Sequence, residues 1–190
     1  MRWCEVTEPD RPLRADAARN RARVLQVAYD VFAEQGLSVP IDEIARRAGV
    51  GAGTVYRHFP TKEALFEAVI GERVRQIVAG GHALLAADPA NALFEFLREM
   101  VPSSAADHGM FDALAGYGID VDRAAPGAEA EFLAVLGELL SAAQKAGTVR
   151  AEVGLAEVKA LLLVCKSGQP YGDGVADRIV EVVVDGLRAR

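Results

Sequence analysis

The 190-residue chain predicts an all-α fold, and three observations carry that expectation. Hydrophobic residues make up 51% of the chain but aromatics only 6%, with Ala, Leu and Val dominant; Ala and Leu are strong helix formers. Apolar residues recur at spacings of three and four along most of the length, the signature of a helix with one buried face. No segment shows the strict alternation of a half-buried strand, and there is no internal repeat or low-complexity tract.

The elements follow in order. Met1–Pro12 holds two prolines and alternating charges and reads as a flexible arm. From about Asp16 a helix begins, with Val24, Ala28, Val31, Phe32 and Gln35 in period and Gly36 as its stop. Pro40 suits the first position of the next helix. There Ile41, Ile44, Ala45 and Ala48 share one face, while Asp42, Glu43, Arg46 and Arg47 share the other. A break at Ala48-Gly49-Val50-Gly51 leads to a short helix carrying Thr54, Tyr56, Arg57 and His58. Phe59-Pro60 breaks the chain again, and Thr61 caps a helix whose first turn holds an acid, favourable at its positive end. That helix is expected to reach about Ala79, with Leu65, Val69, Val74 and Ile77 inward, before Gly80-Gly81 weakens it.

Asp88-Pro89 reads as the next cap and start, followed by a stripe of Leu93, Phe96, Leu97 and Met100. A short helix is expected over Asp107–Tyr117 and a loop over Gly116–Gly127. Glu129–Ala146 is strongly periodic through Phe132, Leu133, Leu136, Leu139, Leu140 and Ala143, with Gly147 as stop. Leu155–Lys166 and Val175–Leu187 are the last two helices, separated by a glycine-rich loop at Ser167–Gly174. About nine helices result: an arm over 1–12, a three-helix unit over 13–62 and a larger helical domain over 63–190.

Within the three-helix unit, two short helices joined by a tight glycine-containing turn form a helix-turn-helix, whose second helix enters the DNA major groove. The overall charge of −6 argues against a nucleic-acid partner, but its distribution reverses that. Residues 11–63 hold nine basic and six acidic side chains, net +3, whereas residues 64–190 are net −7. Such an asymmetry suggests one part that faces nucleic acid and a different remainder.

The segments AYDVFAEQG (Ala28–Gly36) and DEIARRAGVGAGTVYRHFPTKEALFEAV (Asp42–Val69) resemble the DNA-binding domain of the TetR family of bacterial transcriptional regulators. The resemblance covers roughly residues 18–74 and rests on several pieces in the family's order; beyond residue 74 only helical patterning continues. It implies a regulator, most often a repressor, that binds a palindromic double-stranded DNA operator as a homodimer and is released by a small-molecule effector. It also implies that Tyr56 and Lys62 contact the DNA backbone and that Thr54, Arg57 and His58 lie at or beside DNA-contacting positions.

The side chains support that reading in their own terms. Gly51, Ala52 and Gly53 make an uncluttered helix start that lets backbone N–H groups approach phosphate. Thr54 can offer a hydroxyl to phosphate or a methyl to thymine. Val55 and Phe59 point to the core. Tyr56 is either a DNA contact or cover for the core edge. His58, Arg57 and Arg46 are either contacts or solvated surface, and Arg14, Arg19, Arg21 and Arg23 either reach phosphate or the minor groove or form a solvated face.

For the second domain, Val158, Leu161, Leu162 and Cys165 form one apolar face, and Ile179, Val182, Val183 and Leu187 another, with Val180 and Val184 adding apolar surface beside it. Helices apolar on more than one side are buried on more than one side. Leu161, Cys165, Ile179, Val183 and Leu187 are therefore candidates for a dimer contact, packing within the protomer being the alternative. Phe96, Met100, Phe111, Tyr117 and Phe132 either line an effector pocket or are plain core. Cys165 reads as a buried structural thiol. His82, His108, Asp107 and Asp112 make too poor a cluster for a metal, and no cofactor is expected. An enzyme is disfavoured: the glycines of Gly49–Thr54 follow a helix rather than the strand a dinucleotide loop requires. With no apolar signal segment or membrane-length run, a cytoplasmic protein is expected.

Overall fold

The computed structural model describes residues 11–100, 126–167 and 174–189. Among these the fold is all-helical, with eight α-helices. They are α1 (Arg11–Gln35), α2 (Ile41–Ala48), α3 (Ala52–His58), α4 (Lys62–Ala87), α5 (Ala92–Met100), α6 (Ala128–Lys145), α7 (Leu155–Ser167) and α8 (Val175–Leu187). The short helix expected over Asp107–Tyr117 lies outside the described residues.

Two hydrophobic cores form. The first gathers Val24, Ala28, Val31 and Phe32 of α1, all four apolar residues of the α2 face, Val55 and Phe59 from α3 and its end, and Leu65, Phe66, Val69 and Ile70 of α4. Phe32 and Phe66 meet edge to face at 5.7 Å, a favoured aromatic geometry. The second core joins Leu93, Phe94, Phe96 and Leu97 of α5 to Val135, Leu136 and Leu139 of α6, and to the inner faces of α7 and α8. The expected division after residue 62 does not coincide with a gap in packing, because α4 contributes side chains to both cores.

Most boundaries match the periodicity. Thr61 caps α4 as expected, its hydroxyl accepting from the Ala64 N–H at 3.1 Å. Three differ. The first helix begins at Arg11, inside the segment read as an arm. Pro40 is the cap of α2 rather than its first residue. Asp88-Pro89 starts no helix: Asp88 closes α4, and its carboxylate accepts from the Ala90 N–H and the Asn91 side chain while the chain turns into α5.

The largest difference is at Gly80-Gly81, where α4 continues without interruption to Ala87. Gly81 is buried against α5 and α6, so that a methyl group there would sit 2.7 Å from Val135 Cγ2 and 3.3 Å from Phe96 Cε2. The glycine is therefore a close-approach residue, giving up helix propensity to let α4 and α6 meet. Gly80 has nothing within 4 Å of the same position.

The end of the chain is tied back. The Arg150 N–H donates to the Leu187 carbonyl at 3.1 Å and the Ala189 N–H to the Thr148 carbonyl at 2.9 Å. Arg98 of α5 grips Glu181 of α8 through two hydrogen bonds of 2.7 and 2.9 Å.

The two neighbouring glycines give opposite expectations. Gly80→Ala gains helix propensity without a clash and stabilises by about 0.5–1 kcal/mol. Gly81→Ala gains the same propensity but forces the short, stiff Val135 side chain to move, an overpacking cost of about 1–3 kcal/mol that leaves a net loss. Urea midpoints measured at one protein concentration separate the pair: Gly80→Ala up, Gly81→Ala down.

Candidate nucleic-acid interface

The candidate interface is built from a turn and a short helix. α2 ends with Gly49 at φ +64°, a left-handed conformation that other residues adopt only with strain. Its N–H donates to the Arg46 carbonyl at 3.2 Å and the Val50 N–H to the Ala45 carbonyl at 3.0 Å, the paired closure of a Schellman motif. Gly51 then caps α3 in extended conformation, and its carbonyl accepts from the Thr54 N–H at 2.8 Å.

At seven residues, α3 is far too short to be stable alone. It is held by Val55 and Phe59, 0% and 3% exposed, which fasten its inner face to the first core. The Arg21 guanidinium lies 5.5 Å from the centre of the Phe59 ring and covers it. Arg21 therefore supports α3 from behind. Its separation of 38 positions from Phe59 in the chain left no local signal for that contact.

The outer face of α3 collects the expected residues. Gly51, Gly53, Tyr56, Arg57 and His58 are exposed, and Ala52 and Thr54 are half-buried. Tyr56 is 46% exposed, a large aromatic left outside the core beside two basic side chains. The Arg57 Nε donates to the Gly53 carbonyl at 3.1 Å, laying the side chain along its own helix. Lys62 is the first residue of α4, at the positive end of a 26-residue helix. Burial pushes its ammonium below the ordinary lysine range, with Glu63 opposing. A phosphate there would meet both the ammonium and the unpaired N–H groups of the first turn.

The basic residues of α2 are already engaged. Glu43 accepts from Arg46 at 2.7 and 2.8 Å and from Arg47 at 3.0 Å, and Arg47 continues to Glu34 of α1 at 2.9 Å. These hydrogen bonds hold the Glu43 carboxyl down to about 2. On α1, Arg19 pairs with Asp16, and Arg23 reaches toward Gly49 at the turn while donating to Asn20 at 3.4 Å.

The second domain rearranges the expected faces. Cys165 and Leu187, read as dimer candidates, are 0% and 2% exposed, enclosed by Val158, Leu162, Val180 and Val184 in the protomer's own core. That burial removes both from any surface a second copy could touch. Leu161, Ile179 and Val183 are half-buried at the core's edge. The apolar side chains turned outward are Leu163, Val164 and Val182, at 62%, 51% and 72% exposure. Burial pushes the Cys165 thiol up, as suits a structural cysteine. Phe96 and Phe132 pack with ring centres 6.2 Å apart, and Met100 is half-buried at the edge of the second core; Phe111 and Tyr117 lie outside the described residues. Among the described residues no cluster of three or more His, Cys, Asp or Glu could hold a metal ion, and no helix is long and apolar enough to cross a membrane.

A glycine-closed turn, a core-anchored helix with a polar outer face and a separate helical core define a helix-turn-helix regulator with a second, helical domain. Comparison with known proteins gives the family. Residues 24–69 match the model of bacterial regulatory proteins of the tetR family, and residues 88–189 match that of the SbtR-like transcriptional regulator C-terminal domain. The TetR transcription regulatory protein from Mycobacterium vanbaalenii is 64% identical over 94% of this chain and 100% of its own, with a TM-score of 0.81. The TetR transcriptional regulator SCO0520 from Streptomyces coelicolor is 34% identical over 89% of this chain and 98% of its own, with a TM-score of 0.72. An HTH-type transcriptional regulator of Staphylococcus aureus (strain USA300) is 41% identical over 59 residues, spanning 30% of this chain and 32% of that protein's length. The chain belongs to the TetR family of bacterial transcriptional regulators, and its N-terminal core is a DNA-binding domain.

The Glu43 network has a signed pH dependence. Its carboxyl titrates lower in the folded state than in the unfolded chain, so its stabilisation is complete above about pH 4.5 and is lost as pH falls toward 2. Glu43→Gln is expected to lower the melting temperature at pH 7, with the gap to wild type closing as the pH approaches 2. A gap independent of pH would show that the ion pairs do not stabilise the turn.

Proposed function

We propose that this regulator is a repressor that binds a palindromic operator as a homodimer and is released by a small-molecule effector. The observation that carries the DNA half of this reading is the two-sided α3: Val55 and Phe59 buried, and Thr54, Tyr56, Arg57 and His58 set toward solvent with Lys62 just beyond. Thr54, Arg57 and His58 are the base-reading candidates, while Tyr56, Lys62 and the N–H groups at Gly51–Gly53 position the helix on phosphate.

One short helix buries too little surface to specify an operator, and two copies address half-sites about 34–36 Å apart, or a multiple of that spacing. Leu163, Val164 and Val182, with Leu161, Ile179 and Val183 at their margin, form the face for a second copy. The effector enters near Phe96, Met100 and Phe132, where α4, α5 and α6 meet, and acts only insofar as it binds one arrangement of the two reading heads more tightly than the other. The role is regulatory rather than enzymatic, and its setting is the cytoplasm.

A gel-shift titration with DNA from upstream of the chain's own gene tests the reading, and a folded dimer that shifts no DNA at low salt would overturn it. Lys62→Ala is expected to weaken operator and unrelated DNA alike and to reduce the slope of log K against log salt by about 1. Unchanged affinity across the titration would remove Lys62 from the interface.

A further inference from the structure

Helix α8 turns a face to solvent that combines charge with one apolar residue. Arg178, Glu181, Val182, Asp185 and Gly186 are all exposed. Arg178 and Asp185 are seven residues apart, which places them on one strip, offset by about 20° and separated by about 10.5 Å along the axis, with Val182 between them.

These charges are settled differently. Glu181 is gripped by its own Arg98, so its carboxylate is neutralised within the protomer. Arg178 has no ion-pair partner among the described residues. The Asp185 side chain is 80% exposed and has only a 3.9 Å approach from Arg188, whose guanidinium lies 4.6 Å from the centre of the Phe94 ring. Among the described residues the strip thus presents one unmatched cation and one nearly unmatched anion, symmetric about a point between Glu181 and Val182.

We propose that α8 recognises α8 of a second copy in antiparallel register about that point, with Val182 near the two-fold axis and two reciprocal Arg178–Asp185 ion pairs. The inference rests on the homodimer reading above and names its register. Two-fold packing makes the contact self-complementary, so each cation meets the other copy's anion. A parallel register would oppose like charges at both ends and is disfavoured for that reason. Gly186, with nothing within 4 Å of where a side chain would begin, leaves room for the long Arg178 side chain of the second copy to cross. Leu163, 62% exposed, extends the contact onto α7. The partner selected is a chain with a cation and an acid at this spacing, which favours this chain over relatives without them.

Sedimentation equilibrium of the full-length protein, with circular dichroism to verify folding, tests the register. Arg178→Asp and Asp185→Arg each place like charges opposite one another and are expected to raise the dimer dissociation constant about tenfold or more. The double variant restores opposite charges and should return to within about threefold of wild type, and the two single variants, when mixed, should form heterodimers in preference to homodimers. Failure of both the double variant and the mixture to recover would overturn the register. Val182→Glu separates this from the reading beneath it. If Val182→Glu dissociates the dimer while the charge exchange fails, the dimer stands and the register falls; if the wild type is itself a monomer, the homodimer reading falls and takes the register with it.

Discussion

Everything in this molecule depends on α4 belonging to two cores. Its 26 residues span about 39 Å at the α-helical rise, and no break interrupts them. Leu65, Phe66, Val69 and Ile70 lock its first half to the DNA-binding core, and Ile77, Val78, Leu84 and Leu85 pack its second half against the other. A continuous helix rooted at both ends transmits displacement instead of absorbing it. The contact at Gly81 matters for the same reason: with no side chain to act as a cushion, α4 and α6 are set by Val135 and Phe96 directly.

The electrostatics of the reading head are more restrained than its sequence suggests. The net-basic stretch contains nine cations, yet Arg46 and Arg47 are bound to Glu43 and Glu34, Arg19 to Asp16, and Arg21 lies over Phe59. Much of the positive charge organises the domain. Among the described side chains, Arg57 on α3 and Lys62 at the start of α4 carry charge beside the outer face of α3 without an ion-pair partner. Exposed ion pairs of this kind are individually weak, but Arg47 joins α1 to α2 at the turn whose shape sets the angle of α3.

The DNA-binding unit was highly legible because its signals are local. The α2 face, the glycine turn, the Thr61 cap and the inward Val55 and Phe59 all follow from spacing within a few residues, and the structure places each as expected. Where contact between distant segments decides, the sequence was silent. Gly80-Gly81 looked like a helix stop because propensity counts against glycine, while the burial that justifies Gly81 comes from Val135, 54 positions away. On α8, Ile179 and the valines at 180, 182, 183 and 184 offered apolar surface on several sides, and only packing against α5 and α7 decided that Val180 and Val184 face inward and Val182 outward. Cys165 and Leu187 were misassigned for the same reason: periodicity finds a stripe but not which neighbour covers it.

The division of α3 into an anchored side and an open side bears on how such a regulator diversifies. Stability is vested in Val55, Phe59 and the turn at Gly49, none of which is free to read a base. Tyr56, Arg57 and His58 are exposed and Thr54 is half-buried, and none of them belongs to the first core. Substitutions at those four positions can therefore accumulate without unfolding the domain, so the chemistry of the outer face of α3 can change through intermediates that all remain folded. The outer face of α3 is evolvable because the scaffold beneath it does not share its residues.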